Sequence, residues 1–357
     1  LDLRPHMLNT CLLPSMIRVS AANAGQGTAR HVPMRYRVPN MSALPPAGAQ
    51  CHRIMITPFL EDEHHVALSE NAGRYHVKTV DRSTTVPAIV VKAYEEQGTV
   101  LFAPEMAFND DAFKRLRIEL ANAHAKFSLQ FHRPPPLAYI IVGVLEAGQP
   151  DDKNYVAVLG PAGELLARQS KITRWDLGKD EQCMLGLGTD PSTRPDCLEE
   201  AIEPANQVEL IELPGLGRLL ILICADMDVD EPGDFLYVNG GLDWVYVPIV
   251  DRSRTPSRDG GREDWIVERA FRAATATKAC VVVTNSMPLT AISNRTNATR
   301  GLSFPMQSTC HVALLIEGGE IGMPTKEEKV GLDANSVLVV SDWMDGWTSF
   351  IGGQNKR

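Results

Sequence analysis

The sequence predicts a layered α/β domain, and three observations carry that expectation. Apolar helical faces alternate with short apolar strands, two strand pairs are joined by glycine-bearing turns, and the phosphate-binding glycine pattern of a doubly wound nucleotide fold is missing. Arg53 to Pro58 reads as a first strand. Val86, Ile89, Val90, Ala93 and Tyr94 share one helical face, with Gly98 placed to end that helix. Thr99 to Pro104 reads as a buried strand, and Asn109 or Asp110 caps a second helix with Phe113, Leu116, Leu120, Ala123 and Phe127 inward. Leu137 to Leu145 is a wholly apolar strand. Asn154 to Leu159 pairs with Leu165 to Ser170 across Gly160-Pro161-Ala162-Gly163, and Val208 to Leu213 pairs with Arg218 to Ile223 across Pro214-Gly215-Leu216-Gly217. A strand at Leu242 to Pro248 follows. Asp264 caps a helix with Ile266, Ala270, Ala273 and Ala274 inward, leading into the strand Cys280 to Asn285. His311 to Ile316 and Val337 to Val340 finish the domain. The segments 178 to 206 and Glu317 to Lys329 read as surface insertions.

Residues 1 to about 50 hold six prolines, Pro5, Pro14, Pro33, Pro39, Pro45 and Pro46, without sustained periodicity, and read as an N-terminal arm or linker. The main domain is expected over 51–345, with a tail at 346–357. The chain starts at Leu1, which suggests a processed product or a module with an additional N-terminal domain.

Composition narrows the function. Of 357 residues, 44% are hydrophobic and 22% charged, enough for a sizeable core. No apolar run approaches the ~20 residues a membrane-spanning helix needs. A net charge of -9 is opposite to the footprint of a phosphate-backbone binder, so nucleic acid is not the expected ligand. Seven scattered cysteines suit a reduced, cytoplasmic chain rather than a disulfide framework. His64, His65, His124 and His132 lack zinc spacing and no paired Cys-x-x-Cys occurs, so neither metal nor cofactor is expected. Arg252, Arg254, Arg258 and Arg262 form a basic loop that either stands in solvent or meets a substrate anion.

Three residues each follow an apolar strand where it gives way to a loop: Glu105, Lys171 and Cys224. A carboxylate, an amine and a thiol complete the set needed for nucleophilic acyl transfer. The thiol attacks, the carboxylate moves its proton, and the ammonium favours the thiolate and stabilises the tetrahedral oxyanion together with the N–H of Ala225. Taken singly each has a blander reading: a packed cysteine, a solvated loop carboxylate, and a lysine guarding a strand end.

Phe102-Ala103-Pro104-Glu105, Arg168-Gln169-Ser170-Lys171 and Ile223-Cys224-Ala225-Asp226, in that order, resemble the three signature segments of the nitrilase, or carbon-nitrogen hydrolase, superfamily. The resemblance extends over about residues 51 to 345. It implies a four-layer α-β-β-α sandwich, assembled as a homo-oligomer, that hydrolyses non-peptide carbon-nitrogen bonds of a small-molecule substrate, an amide, carbamoyl compound or nitrile, through a cysteine thioester without a cofactor. Cys224 would be nucleophile, Glu105 general base then acid, and Lys171 the stabiliser of the intermediate. Members commonly carry a second glutamate that holds the lysine and substrate; Glu181 is the nearest match, with Asp176 and Asp180 as alternatives. The sequence after Cys224 favours amide over nitrile chemistry. The alternatives are a catalytically silent scaffold or sensing module of a larger protein, and an ammonia-supplying or acyl-transfer domain.

Overall fold

Strands buried on both faces read as unbroken apolar runs, and such runs form the centre of this molecule. The computed structural model describes residues 16–19, 30–39, 51–60, 63–132, 135–148, 150–187, 194–251, 265–286, 288–299, 311–318, 324–331 and 339–344. Its strands are β1 Met16–Val19, β2 Arg30–Arg37, β3 Cys51–Ile56, β4 Val66–Asn71, β5 Arg74–Thr79, β6 Val100–Asn109, β7 Tyr139–Glu146, β8 Lys153–Leu159, β9 Leu165–Ser170, β10 Asp176–Gly178, β11 Cys197–Glu200, β12 Val208–Leu213, β13 Gly217–Ile221, β14 Trp244–Val250, β15 Cys280–Ser286, β16 His311–Gly318, β17 Pro324–Gly331 and β18 Val339–Met344. The helices are α1 Val86–Glu95, α2 Asp110–Phe131, α3 Lys179–Met184, α4 Ala225–Asp228, α5 Gly233–Asn239, α6 Trp265–Thr277 and α7 Pro288–Thr299. Eight strands run in the order β1-β2-β12-β13-β14-β15-β16-β17, six in the order β18-β3-β6-β7-β8-β9, and four in the order β10-β11-β5-β4.

The two larger sheets pack face to face. Phe102 of β6 lies 4.7 Å from the Tyr246 ring and 6.3 Å from the Trp244 ring of β14, centroid to centroid. Aromatic pairs of this kind contribute about 0.5–1.5 kcal/mol beyond the area they bury. Polar ends are satisfied across the same interface: the Tyr139 hydroxyl donates to the Pro214 carbonyl at 2.6 Å, and the Tyr246 hydroxyl donates to the Ala103 carbonyl. On its outer face the six-stranded sheet is covered by α1 and α2, through Ile89, Val90, Leu116 and Leu120 against Leu101, Ile140 and Val142. Ala270, Ala273 and Ala274 of α6 cover the eight-stranded sheet. The layers are therefore α-β-β-α, as expected. Asn109 is the cap of α2, accepting the Ala112 N–H at 2.9 Å.

Both expected hairpins form, β8 with β9 and β12 with β13. Three expectations need correction. The N-terminal arm is not all linker: β2 pairs in parallel with β12, Val32 is buried, and Arg37 Nε meets Glu209 at 2.7 Å. Pro33 and the basic residues of Arg30–Arg37 obscure the alternation of Val32, Met34 and Tyr36 that makes this a strand. The segment 178 to 206 is not a mere surface insertion, because it contains α3 and β11, and β11 joins β5 and β10 in the four-stranded sheet. Glu317 to Lys329 likewise includes part of β17, which pairs with β16. Asp264, the arginine loop 252–262 and the tail 346–357 lie outside the described residues.

The departure that matters most concerns Glu105. It does not sit at a strand end but inside β6, where pairing with β7 jumps from Ala103↔Val142 to Phe108↔Val144. Residues 104–107 thus bulge out opposite a single residue, Gly143. A Cβ on Gly143 would stand 2.1 Å from the Pro104 carbonyl oxygen and 2.6 Å from the Glu105 Cα. Both are backbone atoms, which cannot swing aside. Gly143→Ala should therefore push the bulge and the Glu105 carboxylate out of place, costing about 1–3 kcal/mol as an overpacking change. Denaturant melts read the first effect, and a changed rate of Cys224 alkylation at unchanged secondary structure reads the second.

Candidate active site

Glu105, Lys171 and Cys224, far apart in sequence, converge on one cavity of about 50 Å³ between the large sheets' edge and the four-stranded sheet. Lys171 directly follows β9, and its backbone N–H is held by the Asn154 carbonyl at 2.9 Å. Cys224 is the turn between β13 and α4, at φ 49°, ψ -106°, a conformation L-residues seldom adopt. Its N–H donates to the Pro248 carbonyl at 3.0 Å, which fixes the turn against β14. Ala225 is the first residue of α4, so its N–H has no acceptor within the helix.

The charged groups at the cavity floor are almost completely enclosed, Lys171 at 1% exposure and Glu105 at 2%. Lys171 Nζ lies 2.9 Å from Glu105 Oε1 and 2.7 Å from Glu200 Oε2. An ammonium has three hydrogens, so this leaves one for another acceptor. Glu105 Oε1 also accepts from Asn154 Nδ2 at 2.7 Å, and Oε2 accepts the Val250 N–H at 3.0 Å. With about two lone-pair sites per oxygen, Oε1 is filled and Oε2 keeps one open among the described residues.

The glutamate that bonds Lys171 besides Glu105 is Glu200, whereas Glu181, the nearest match in the sequence, makes no bond to Lys171 among the described residues. Glu181 lines the cavity, but its Oε2 accepts the Gly178 N–H at 3.2 Å and caps α3. Neither Asp176 nor Asp180 bonds Lys171; Asp180 is exposed on α3. Glu200 was hidden because it ends a four-residue strand, Cys-Leu-Glu-Glu, inside a polar stretch. Its Oε2 takes the Trp175 N–H at 3.0 Å as well as Lys171.

The electrostatics differ from the sequence-based picture in one respect. Burial opposes charge on Lys171, yet Glu105 and Glu200 override it and hold the ammonium well above its ordinary range. Burial pushes the Cys224 thiol well up, the Glu105 carboxylate adds to this, and the opposing pull of Lys171 is too small to reverse it. The resting thiol is therefore protonated, so Lys171 does not by itself supply a thiolate. Burial likewise raises Glu200, with Lys171 acting against it.

Asp226 ties the two halves of the site together. Its carboxylate accepts the Thr173 N–H at 2.7 Å, the Ile172 N–H at 3.1 Å and the Ile223 N–H at 3.1 Å. One fully buried side chain thus clamps the residues after Lys171 to the residue before Cys224. Burial pushes its carboxyl up to about 7, against the pull of Lys171 and these amide donors.

The upper walls are apolar: Leu68, Val77, Leu177, Leu185 and Leu289, with the stacked indoles of Trp175 and Trp265 at 6.3 Å. Glu181 and Asp251 are the additional acidic groups on the lining. Among the described residues no cluster of His, Cys, Asp and Glu could hold a metal ion. Among the described residues Cys183, Cys197 and Cys280 are in no disulfide, the last buried in β15. No described helix is long and apolar enough to cross a membrane.

No protein-family model matches the chain, and no curated protein matches it by sequence. Solved structures do match by fold. An amidase from Nesterenkonia sp. aligns over 85% of this chain and 94% of its own, at 15% identity and a TM-score of 0.50. A cysteine-to-alanine mutant of the amidase from Nesterenkonia sp. AN1, in complex with butyramide, gives the same identity, coverage and TM-score. That amidase is from the nitrilase superfamily. At such identity the likeness concerns the fold: this chain has the α-β-β-α architecture of those amidases.

Proposed function

We propose that this protein hydrolyses the carbon-nitrogen bond of small, uncharged amides through a thioester on Cys224. The observation that carries the reading is the enclosed group Glu105–Lys171–Glu200 lining the same cavity as Cys224. Burying two carboxylates around one ammonium costs desolvation, and an enclosed charged group of this kind in a cavity is typical of a reacting site.

The steps follow from the donor count. Because the thiol is protonated at rest, attack and proton transfer go together: Sγ bonds the amide carbon while its proton passes to the open site on Glu105 Oε2. The carbonyl oxygen becomes an oxyanion, met by the third hydrogen of Lys171 and the N–H of Ala225. Glu105 then gives its proton to the leaving nitrogen, ammonia departs, and a thioester remains. Water attacks the thioester, losing a proton to Glu105, and the carboxylic acid leaves as the thiol is regenerated. Glu200 keeps Lys171 charged and aimed throughout.

Cavity size and wall chemistry support the substrate class. About 50 Å³ gives room for about three to five groups the size of a water molecule. Apolar walls and the added carboxylates Glu181 and Asp251 favour a short aliphatic acyl group over one bearing a carboxylate. Ammonia release from propionamide or butyramide tests the reading. Release from those amides supports it; no release from any short amide by folded protein would remove it.

A further inference from the structure

Glu105 is the pivot of the proposed chemistry, and one of its partners has no counterpart in the sequence-based site. Asn154, near the start of β8, is completely buried. Its Nδ2 donates to Glu105 Oε1 at 2.7 Å, and its carbonyl accepts the N–H of Lys171 at 2.9 Å. Its Oδ1 is buried without a hydrogen-bond partner among the described residues. An apolar side chain of the same shape would avoid that cost, so a buried asparagine with a single side-chain bond points to what the bond does for Glu105.

We infer that Asn154 is a positioning residue that holds Glu105 by Oε1 and turns Oε2 toward the proton it must accept. The argument rests on the proposed role of Glu105. A donor to the ionised form favours that form. By filling the last site on Oε1 beside Lys171, Asn154 leaves Oε2 as the acceptor for the thiol proton. Other titratable groups facing Glu105 are Lys171, Glu200 on β11, Cys224, Tyr75 on β5 and Tyr246 on β14, with Asp251 acting on Cys224. All are common to the wild type and the variants below.

The test is the pH dependence of Cys224 alkylation by iodoacetamide, followed on the Cys224 peptide by mass spectrometry. In this step the thiol proton passes to Glu105, sulfur bonds the methylene carbon, and iodide leaves with the bonding pair. The wild type should show an acid limb set by Glu105, absent in Glu105→Gln. Asn154→Leu should move that limb upward by about one pH unit, as loss of a donor to a carboxylate does. Asn154→Ala, which removes the same donor with less volume, should move it likewise and serves where the leucine variant does not fold. Folded variants with the wild-type limb would overturn the role of Asn154. A wild-type limb that survives Glu105→Gln would instead overturn the role of Glu105, so the two failures are distinguishable.

Discussion

Lys171→Met will lose both activity and stability, and the two losses have separate causes. Removing a positioned oxyanion donor costs about 10²–10³ in kcat. The fold suffers because Glu105 and Glu200, both within 2.9 Å of Nζ in the wild type, become two buried carboxylates without a counter-ion. Breaking a buried ion pair from one side costs about 3–5 kcal/mol. The pH dependence gives the sign. With no cation between them, the two carboxyls of the native variant hold on to a proton that unfolded glutamates release near pH 4. The native state then binds more protons than the unfolded state above that pH, so stability falls as pH rises. In the wild type Lys171 offsets this. Its own contribution, from a pKa raised on folding, is fully present below the unfolded value near 10 and is lost only as pH rises through the higher folded value. Urea melts of both proteins between pH 5 and 8 should show a steeper decline for the variant; parallel curves would mean that the cation does not carry this charge.

Cys224→Ala is expected to abolish amide hydrolysis, with a loss of about 10⁴-fold or more, as when a nucleophile acting in a unit is removed. Stability should change little, for alanine keeps the small apolar volume and removes a thiol whose ionisation the site already opposes. Ammonia release at no more than about a ten-thousandth of the wild-type rate, beside an unchanged melting temperature, checks both halves of the expectation.

The part of this site legible in the sequence was the part announced by strands. Cys224 follows an apolar run, and a thiol at the end of such a run stands out; Lys171 follows the mixed strand Leu-Leu-Ala-Arg-Gln-Ser and is picked out only by its place in order between Glu105 and Cys224. Glu105 was found for the same reason as Cys224, although its strand continues to Asn109 through a bulge. That bulge was not legible, because it depends on Gly143 of the neighbouring strand rather than on Pro104 and Glu105 themselves. Glu200 was missed because β11 is four residues long and has no apolar period, and its partner strand β5 lies more than a hundred residues earlier. Asn154 reads in the sequence as the start of a hairpin strand, and nothing local signals that its side chain turns toward Glu105. Local periodicity finds the elements; partners brought in from distant strands are set by register, which the chain does not display locally.

A covalent acyl group on Cys224 is read by intact-protein and peptide mass spectrometry on protein quenched after mixing with butyramide. One butyryl group is expected in place of the thiol hydrogen on the Cys224 peptide, absent in Cys224→Ala. Ammonia release that continues in Cys224→Ala, or an acyl group found only on another residue, would contradict it.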